Sequence, residues 1–329
     1  MPLPLVFIGI AALTGTAGIG GTVKAGVDQS HAHSINTTSN EKVDKQASQL
    51  NELRLQCGSA LRNLGEEKLF VLNNNIKVFL DNFQKIKNVD FKESEGILEI
   101  NKLHIDQKEF EELSLMSHVA INLLESGVTG VTAGALSAFG AYSAATMFAT
   151  ASTGTAISTL SGAAATNATL AFFGGGSLAT GGLGMAGGTV VLGGLVAGPA
   201  LMVMGFMLGM KAEKSLENAY ANAAKADEMC EELLVASEQC IAIRRRCYMF
   251  YSLLARLDTM LYPMNQKMKN IIESEGTDYS KYSTDSKKVI AAVVSTVASI
   301  KAVLDTPILN DDGELTDASE ELVDRGKDI

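Results

Sequence analysis

Arg244, Arg245 and Arg246, followed at once by Cys247 and Tyr248 and then by Tyr251, form the only tight basic cluster in the sequence. Guanidinium forks stay charged and meet phosphate or carboxylate oxygens in pairs, and a neighbouring phenol offers a stacking face. The group therefore suits a regulatory anion or a nucleotide. The plainer reading is a triplet that is solvated or paired with acids such as Glu231 and Glu238. In a parallel bundle of identical chains the triplet would form a ring.

Little else in the sequence could do chemistry. Cys57, Cys230, Cys240 and Cys247 lie on expected helices with no C-x-x-C pair and no histidine at metal-ligand spacing, so they read as reduced, half-buried thiols. Cys240 and Cys247, one heptad apart, share a helix face. His31 and His33 sit on a polar stretch, and His104 and His118 stand alone. The spacing argues for no Ser/His/Asp, Cys/His or paired-carboxylate set, so neither an enzyme nor a metal or cofactor site is expected. The stretch GGGSLATGGLGMAGG lacks the Gly-Lys-Ser/Thr ending that grips phosphate and follows no expected strand, which sets aside a phosphate loop.

What must position these groups is organised around an uncharged segment. From Ser126 to Met210, between Glu125 and Lys211, no Asp, Glu, Lys, Arg or His occurs. The run far exceeds the roughly 20 apolar residues that cross a bilayer once, so it can cross twice. Two portions are long enough to span, Gly127–Ala151 and Met185–Met210. The second is rich in Val, Leu and Met despite Pro199, as a lipid-facing helix would be. The first is mostly Ala, Gly, Ser and Thr, which suits contact with other helices or water.

Small-xxx-small spacing recurs at Gly130 and Gly134, Gly184 and Gly188, Gly194 and Gly198, and Gly205 and Gly209. Glycines at that spacing let helices approach closely and associate by packing in lipid. Ser152–Gly184 would form the tip or a re-entrant element. The competing reading is a soluble protein with a buried Ala/Gly-rich hairpin, and a soluble form that later inserts reconciles the two.

Met1–Val23 is also free of charged side chains and has the length of one tilted span. A signal peptide competes for it, but no Lys or Arg precedes the apolar stretch and the Gly/Thr tract is no clear cleavage site. Retained, it would put Lys24 on the cytoplasmic side.

The flanks read as helical arms. His31–Asn40 reads as a polar joint, after which Thr38 and Glu41 have capping-box spacing. Val43, Ala47, Leu50, Cys57, Leu61 and Leu64 then make a stripe that wants a partner helix. The period lapses between Asn88 and His104, with a short extended piece expected near Gly96–Ile100. Asp106 and Glu109 cap a second helix leading into the uncharged run. Beyond it, Lys211–Leu261 holds no Pro or Gly and carries apolar residues from Leu216 to Leu261 at threes, fours and sevens. That spacing predicts one very long helix, ended or kinked by Pro263. A last helix carries Ile290, Val293, Val297, Ile300 and Leu304. The acidic tail after Pro307 reads as solvated and disordered.

The formal net charge of −10 offers no general attraction for duplex nucleic acid or an anionic surface. Tryptophan is absent and aromatics are 6%, little ring area for a large water-soluble core.

The start MPLPLVFIGIAAL together with the central MFATASTGTAISTLSGAAATNATLAFFGGGSLATGGLGMAGGTVVLGGLVAGPALMVMGF resembles Gly-rich bacterial membrane effectors of anti-phage systems, the Hailong type among them. The resemblance covers about a third of the chain. It implies an oligomeric channel that a nucleotide product holds silent and that depolarises the cell when released; it transfers no ligand or catalytic residue. Architecture alone is similar to the cytolysin A class of helical pore-forming toxins, in which long helices bracket an apolar hairpin.

The sequence thus predicts an all-α protein: a long coiled-coil-like stalk with an apolar Gly/Ala-rich transmembrane or membrane-inserting hairpin. Its segments are 1–24 (N-terminal membrane segment), 38–125 (first arm), 126–210 (hairpin), 211–305 (second arm) and 306–329 (acidic tail). The expected function is a homo-oligomeric pore or gated channel in the bacterial inner membrane with its helical part in the cytoplasm. The partners are then a second copy of itself, the bilayer and a nucleotide or oligonucleotide regulator. A non-conducting membrane scaffold or remodelling protein, or a secreted helical toxin, is the alternative.

Overall fold

The computed structural model describes residues 22–89, 107–125, 139–141, 216–310 and 313–326. Helices dominate these residues, and the only β pairing among them is two isolated bridges, Lys87 with Asp278 and Leu309 with Leu315. The all-α expectation holds there. Helix α1 is Thr22–Val71, followed by a π-turn at Leu72–Ile76, α2 at Lys77–Phe83 and α3 at Gln107–Glu125. Helix α4 is Leu216–Glu275; α5, Thr284–Asp305, and α6, Asp317–Gly326, complete the order.

The two longest helices lie side by side because both carry an apolar row at sevens. In α4, Ala219, Ala226, Leu233, Cys247, Leu254, Leu261 and Met268 are at most 1% exposed, and the half-buried Cys240 completes the row. In α1, Val43, Leu50, Cys57, Leu64 and Val71 are buried at the same interval. A seven-residue repeat keeps one face of each helix turned toward its neighbour over the full length.

The pair runs parallel. Asn222 Nδ2 donates to Asn36 Oδ1, Lys42 pairs with Asp227 at 3.0 Å, Asn75 Nδ2 donates to Asp258 Oδ1 at 2.9 Å, and Asn265 Nδ2 donates to the Asn75 carbonyl at 2.9 Å. Both numbers rise together from one end to the other. At 1.5 Å per residue the 50 residues of α1 reach about 75 Å. Helix α5 folds back antiparallel on α4, with Thr296 against Met264 and Ser286 against Glu275. Helix α3 returns along the end of α1, its Phe110 against Phe79 and Phe83, and its Ser117 hydroxyl on the Leu72 carbonyl.

The body therefore has two parts. Among the described residues a stalk is formed by α1 and α4 and held by a small cluster, Val43, Leu50, Ala226 and Leu233. A head packs the rest of both helices with α2, α3, α5 and α6 around one larger core.

Three expectations need correction. Residues 31–40 are no joint: α1 runs straight through them, because Ala32, Asn36, Ser39 and Val43 fall on the seam and are buried. Asn36 Oδ1 accepts from Asn222 Nδ2, and Thr38 and Glu41, exposed mid-helix, cap nothing. Pro263 does not end α4, which continues to Glu275. A mid-helix proline forfeits a backbone bond, but it stands on the exposed side while Leu257, Leu261, Met268 and Ile271 stay buried on either side of it. Helix α4 stops instead at Gly276, whose φ of +83° gives the left-handed ending glycine adopts without penalty.

The tail is the third. Ile308 and Leu309 are buried, and α6 forms and packs on α4. Thr316 Oγ1 accepts from the Ser319 amide at 3.2 Å as an N-cap, and Asp317 and Glu320 occupy the first turn, where acids favour helix formation. The acidity read as solvation is partly helix-end chemistry.

The π-turn has a local cause. Its irregular ladder leaves carbonyls to be met from elsewhere: Ser117 reaches the Leu72 carbonyl at 3.0 Å and Asn265 the Asn75 carbonyl. The Asn75 amide in turn holds Asp258, whose carboxyl is pushed upward by burial and eased down by that bond.

Candidate functional site

The arginine cluster falls in the head, on the side of α4 covered by α6. Its three members diverge, as consecutive helix residues must at about 100° apart. Arg244, half-buried, turns to α1 and donates to Gln56 Oε1. Arg246, its side chain only 13% exposed, donates to Ser319 Oγ at 3.0 Å and pairs with Glu320 Oε2 at 3.4 Å. Arg245 and Tyr248 face solvent. The acids expected as partners, Glu231 and Glu238, make no ion pair with the cluster among the described residues; Glu320 of the refolded tail does.

Between α4 and α6 lies an open cavity of about 620 Å³, rimmed by Arg244, Arg245, Tyr248 and Arg256 and floored by Leu253 and Val323. Sequence spacing did not find Arg256, yet it lies eleven residues after Arg245, three helical turns along the same face. Gly326 closes one end so tightly that a Cβ there would come within 2.8 Å of Leu253. Charged forks around an apolar floor with a phenol at the edge can hold an anionic ligand that has a flat or apolar part.

The four cysteines are all free thiols. Cys57 of α1 and Cys240 of α4 are neighbours across the seam. Donation from the Cys57 thiol lowers Cys240 to about 7, with burial opposing and Arg54 assisting, and the same pairing raises Cys57, burial adding to the rise. Cys247, deeply buried, is raised to about 12.

A second constellation went unread in the sequence. Phe139, Gly140 and Ala141, from within the first candidate span, are buried in the head. Lys68 of α1, fully buried, donates to the Phe139 carbonyl at 3.1 Å and the Gly140 carbonyl at 3.4 Å, with its ammonium 5.6 Å from the Phe139 ring centroid. The amides of Ile308 and Leu309 both donate to the Ala141 carbonyl, at 2.8 and 3.1 Å. A Cβ at Gly140 would stand 2.0 Å from the Leu61 carbonyl oxygen, so only glycine fits. Burial lowers Lys68 to about 8, with Cys247 and Asp305 pulling the other way. Asp305 is pushed up by burial and held down by Lys301, which also binds Glu112 at 3.0 Å. A single lysine in an apolar stripe signalled this arrangement, but its partners lie more than 70 residues away.

The glycine pairs at 130/134, 184/188, 194/198 and 205/209, the span Met185–Met210, and Met1–Gly21 lie outside the described residues, as does all of Gly127–Ala151 but 139–141. Among the described residues no helix is long and apolar enough to cross a membrane, and no group of three potential metal ligands occurs. No family model, curated protein or solved structure matches this chain.

Proposed function

We propose that this protein is the subunit of a homo-oligomeric membrane pore or gated ion channel that depolarises a bacterial cell, as a cell-killing or anti-phage effector. One observation carries the reading: α1 and α4 run parallel, so Thr22 and Leu216 sit at the same end of the stalk. Those two residues follow closely on the two uncharged stretches of the sequence, 1–21 and the run ending at Met210. In an antiparallel pair the stretches would leave from opposite ends. Here the residues that follow the two stretches lie at one end of the α1–α4 pair, away from the head, the arrangement expected when that end faces a bilayer and the head stays in water.

Self-association is supported by a stripe on the outside of α4. Tyr220, Leu234, Ile241, Tyr248 and Tyr262, spaced by sevens and fourteens, are 41–61% exposed. A heptad row left open along a helix is what a second copy covers. The groove at Arg244, Arg245, Tyr248 and Arg256 is the place for a regulatory anion or nucleotide, and the helical body is cytoplasmic in this reading.

Expression of the full chain in a bacterium with a potential-sensitive dye, beside Gly194→Leu/Gly205→Leu, tests it. Depolarisation by the parent and not by the variant supports a pore packed through those glycines. A membrane-bound parent that leaves the potential intact, with and without anionic ligands, would return the protein to a non-conducting scaffold.

A further inference from the structure

The uncharged run enters the head at Phe139–Ala141, where the body supplies donors to all three carbonyls of that tripeptide. Lys68 brings a charged donor to two of them, and the chain after α5 brings two amides to the third. The docking is specific in shape as well, since Gly140 lies against the Leu61 backbone with no room for a Cβ. The donors at Ile308 and Leu309 belong to a strap that is itself tied down. The Thr316 amide bonds the Ile308 carbonyl at 3.0 Å, Thr316 Oγ1 the Pro307 carbonyl at 2.5 Å, and α6 beyond it is fastened to α4 by Arg246.

Carrying a lysine into an apolar core is unfavourable unless its donors are used. A lysine that donates to main-chain carbonyls of an otherwise uncharged segment holds that segment by its backbone, whatever its side chains. Those carbonyls lie inside the stretch Gly127–Ala151, long enough to span a bilayer. A helix crossing lipid must keep its backbone bonds within itself. Phe139–Ala141 is helical in the head as well, and a helical carbonyl has room for a second donor, so the conflict is one of place: the same residues cannot at once dock on Lys68, Ile308 and Leu309 and be surrounded by lipid.

We propose that Lys68 and the strap at Ile308 and Leu309 clasp Phe139–Ala141 as an autoinhibitory contact, and that the clasp must open before the uncharged run forms its membrane structure. The clasp rests on the pore reading for its role, while its existence as a contact does not. In this arrangement the acidic tail restrains the uncharged run from the opposite side of the chain.

Gly140→Ala pushes the tripeptide off Leu61, and Lys68→Met keeps the length of the lysine without its donors. The purified full chain and both variants are compared by amide exchange at Ile308 and Leu309. They are compared also by potassium efflux from vesicles of phosphatidylethanolamine and phosphatidylglycerol. Exchange at both amides roughly tenfold faster in either variant, with efflux accelerated by a similar factor, is the expected result. Exchange at the seam around Asn75 and Asn265 reports that the head is intact; if Gly140→Ala unfolds it, Lys68→Met still decides. Unchanged exchange overturns the clasp. Faster exchange with efflux at the parent's rate makes the contact structural only and overturns its inhibitory role. A parent and variants that all bind vesicles without efflux remove the pore reading, a failure told apart by intact exchange differences.

Discussion

Gly140 rests against Leu61 so closely that a single added carbon would lie 2.0 Å from the Leu61 carbonyl oxygen. One residue of the uncharged run is thereby matched to one turn of α1. Gly140→Ala should lower the stability of the head by about 1–3 kcal/mol, the range for overpacking a filled site. Chemical denaturation followed by circular dichroism reads the loss. An unchanged midpoint would mean that the tripeptide is not seated there in solution.

The head should gain stability as pH rises from 7 to 9. Lys68 is lowered to about 8 and Cys240 to about 7, so in that window the unfolded chain holds protons that the folded chain has released, and stability climbs with pH. Lys68 alone contributes about 1 kcal/mol between pH 8 and 9. From about pH 8.5, where an unfolded thiol titrates, the raised thiols Cys57 and Cys247 offset part of this gain, since the folded chain then keeps protons that the unfolded chain loses. Denaturant midpoints at pH 7, 8 and 9 should rise in the parent and rise less in Lys68→Met.

Cys240 should be the fastest of the four thiols to alkylate at neutral pH. It is half-buried and lowered by its bond from Cys57 and by Arg54, whereas Cys57 and Cys247 are buried and raised and Cys230 is raised by burial. The thiolate is the reactive form. Mass spectrometry after brief iodoacetamide treatment reads the order. Cys57→Ala, which removes the donor, should slow Cys240.

Removing Arg246 should loosen α6 without unfolding the head. Arg246→Ala deletes the bonds to Ser319 and Glu320. Because Glu320 is largely exposed, the loss should be about 1 kcal/mol. Amide exchange over 317–326 should accelerate while α1 and α4 stay protected.

Asn75→Ala should cost about 1–3 kcal/mol, because it takes an amide donor from the buried Asp258. Thermal melts of the parent and the variant check it, with the deficit largest near neutral pH, where Asp258 is charged.

Much of the body was legible in the sequence. Apolar residues at sevens, from Val43 to Leu64 and from Ala219 to Leu261, marked both long helices and their buried faces, and the burial follows those positions. The polar stretch at 31–40 misled because Asn36 and Ser39 read as solvent-seeking until Asn222 is known to face Asn36. Pro263 misled because a local penalty was weighed without the packing on both sides of it. The tail misled because its charge hid Thr316 as a cap and Leu315, Leu322 and Val323 as a packing face. Half of the candidate groove was visible as Arg244–Tyr248; Arg256 and the floor from α6 depended on the tail folding back.

The sequence by itself determined that the two arms and α5 are helical, which of their faces are buried and which stretches carry no charge, since these depend on residue type and short-range period. Only the tertiary structure decided that α1 and α4 run parallel, because a heptad row fits a partner in either direction. The choice rests on pairs 183 to 190 residues apart, such as Asn75 with Asp258 and with Asn265. Tertiary structure alone also decided that Lys68 meets the carbonyls of Phe139 and Gly140. A buried ammonium needs acceptors wherever the fold brings them, and no local spacing names a main-chain oxygen 71 residues away.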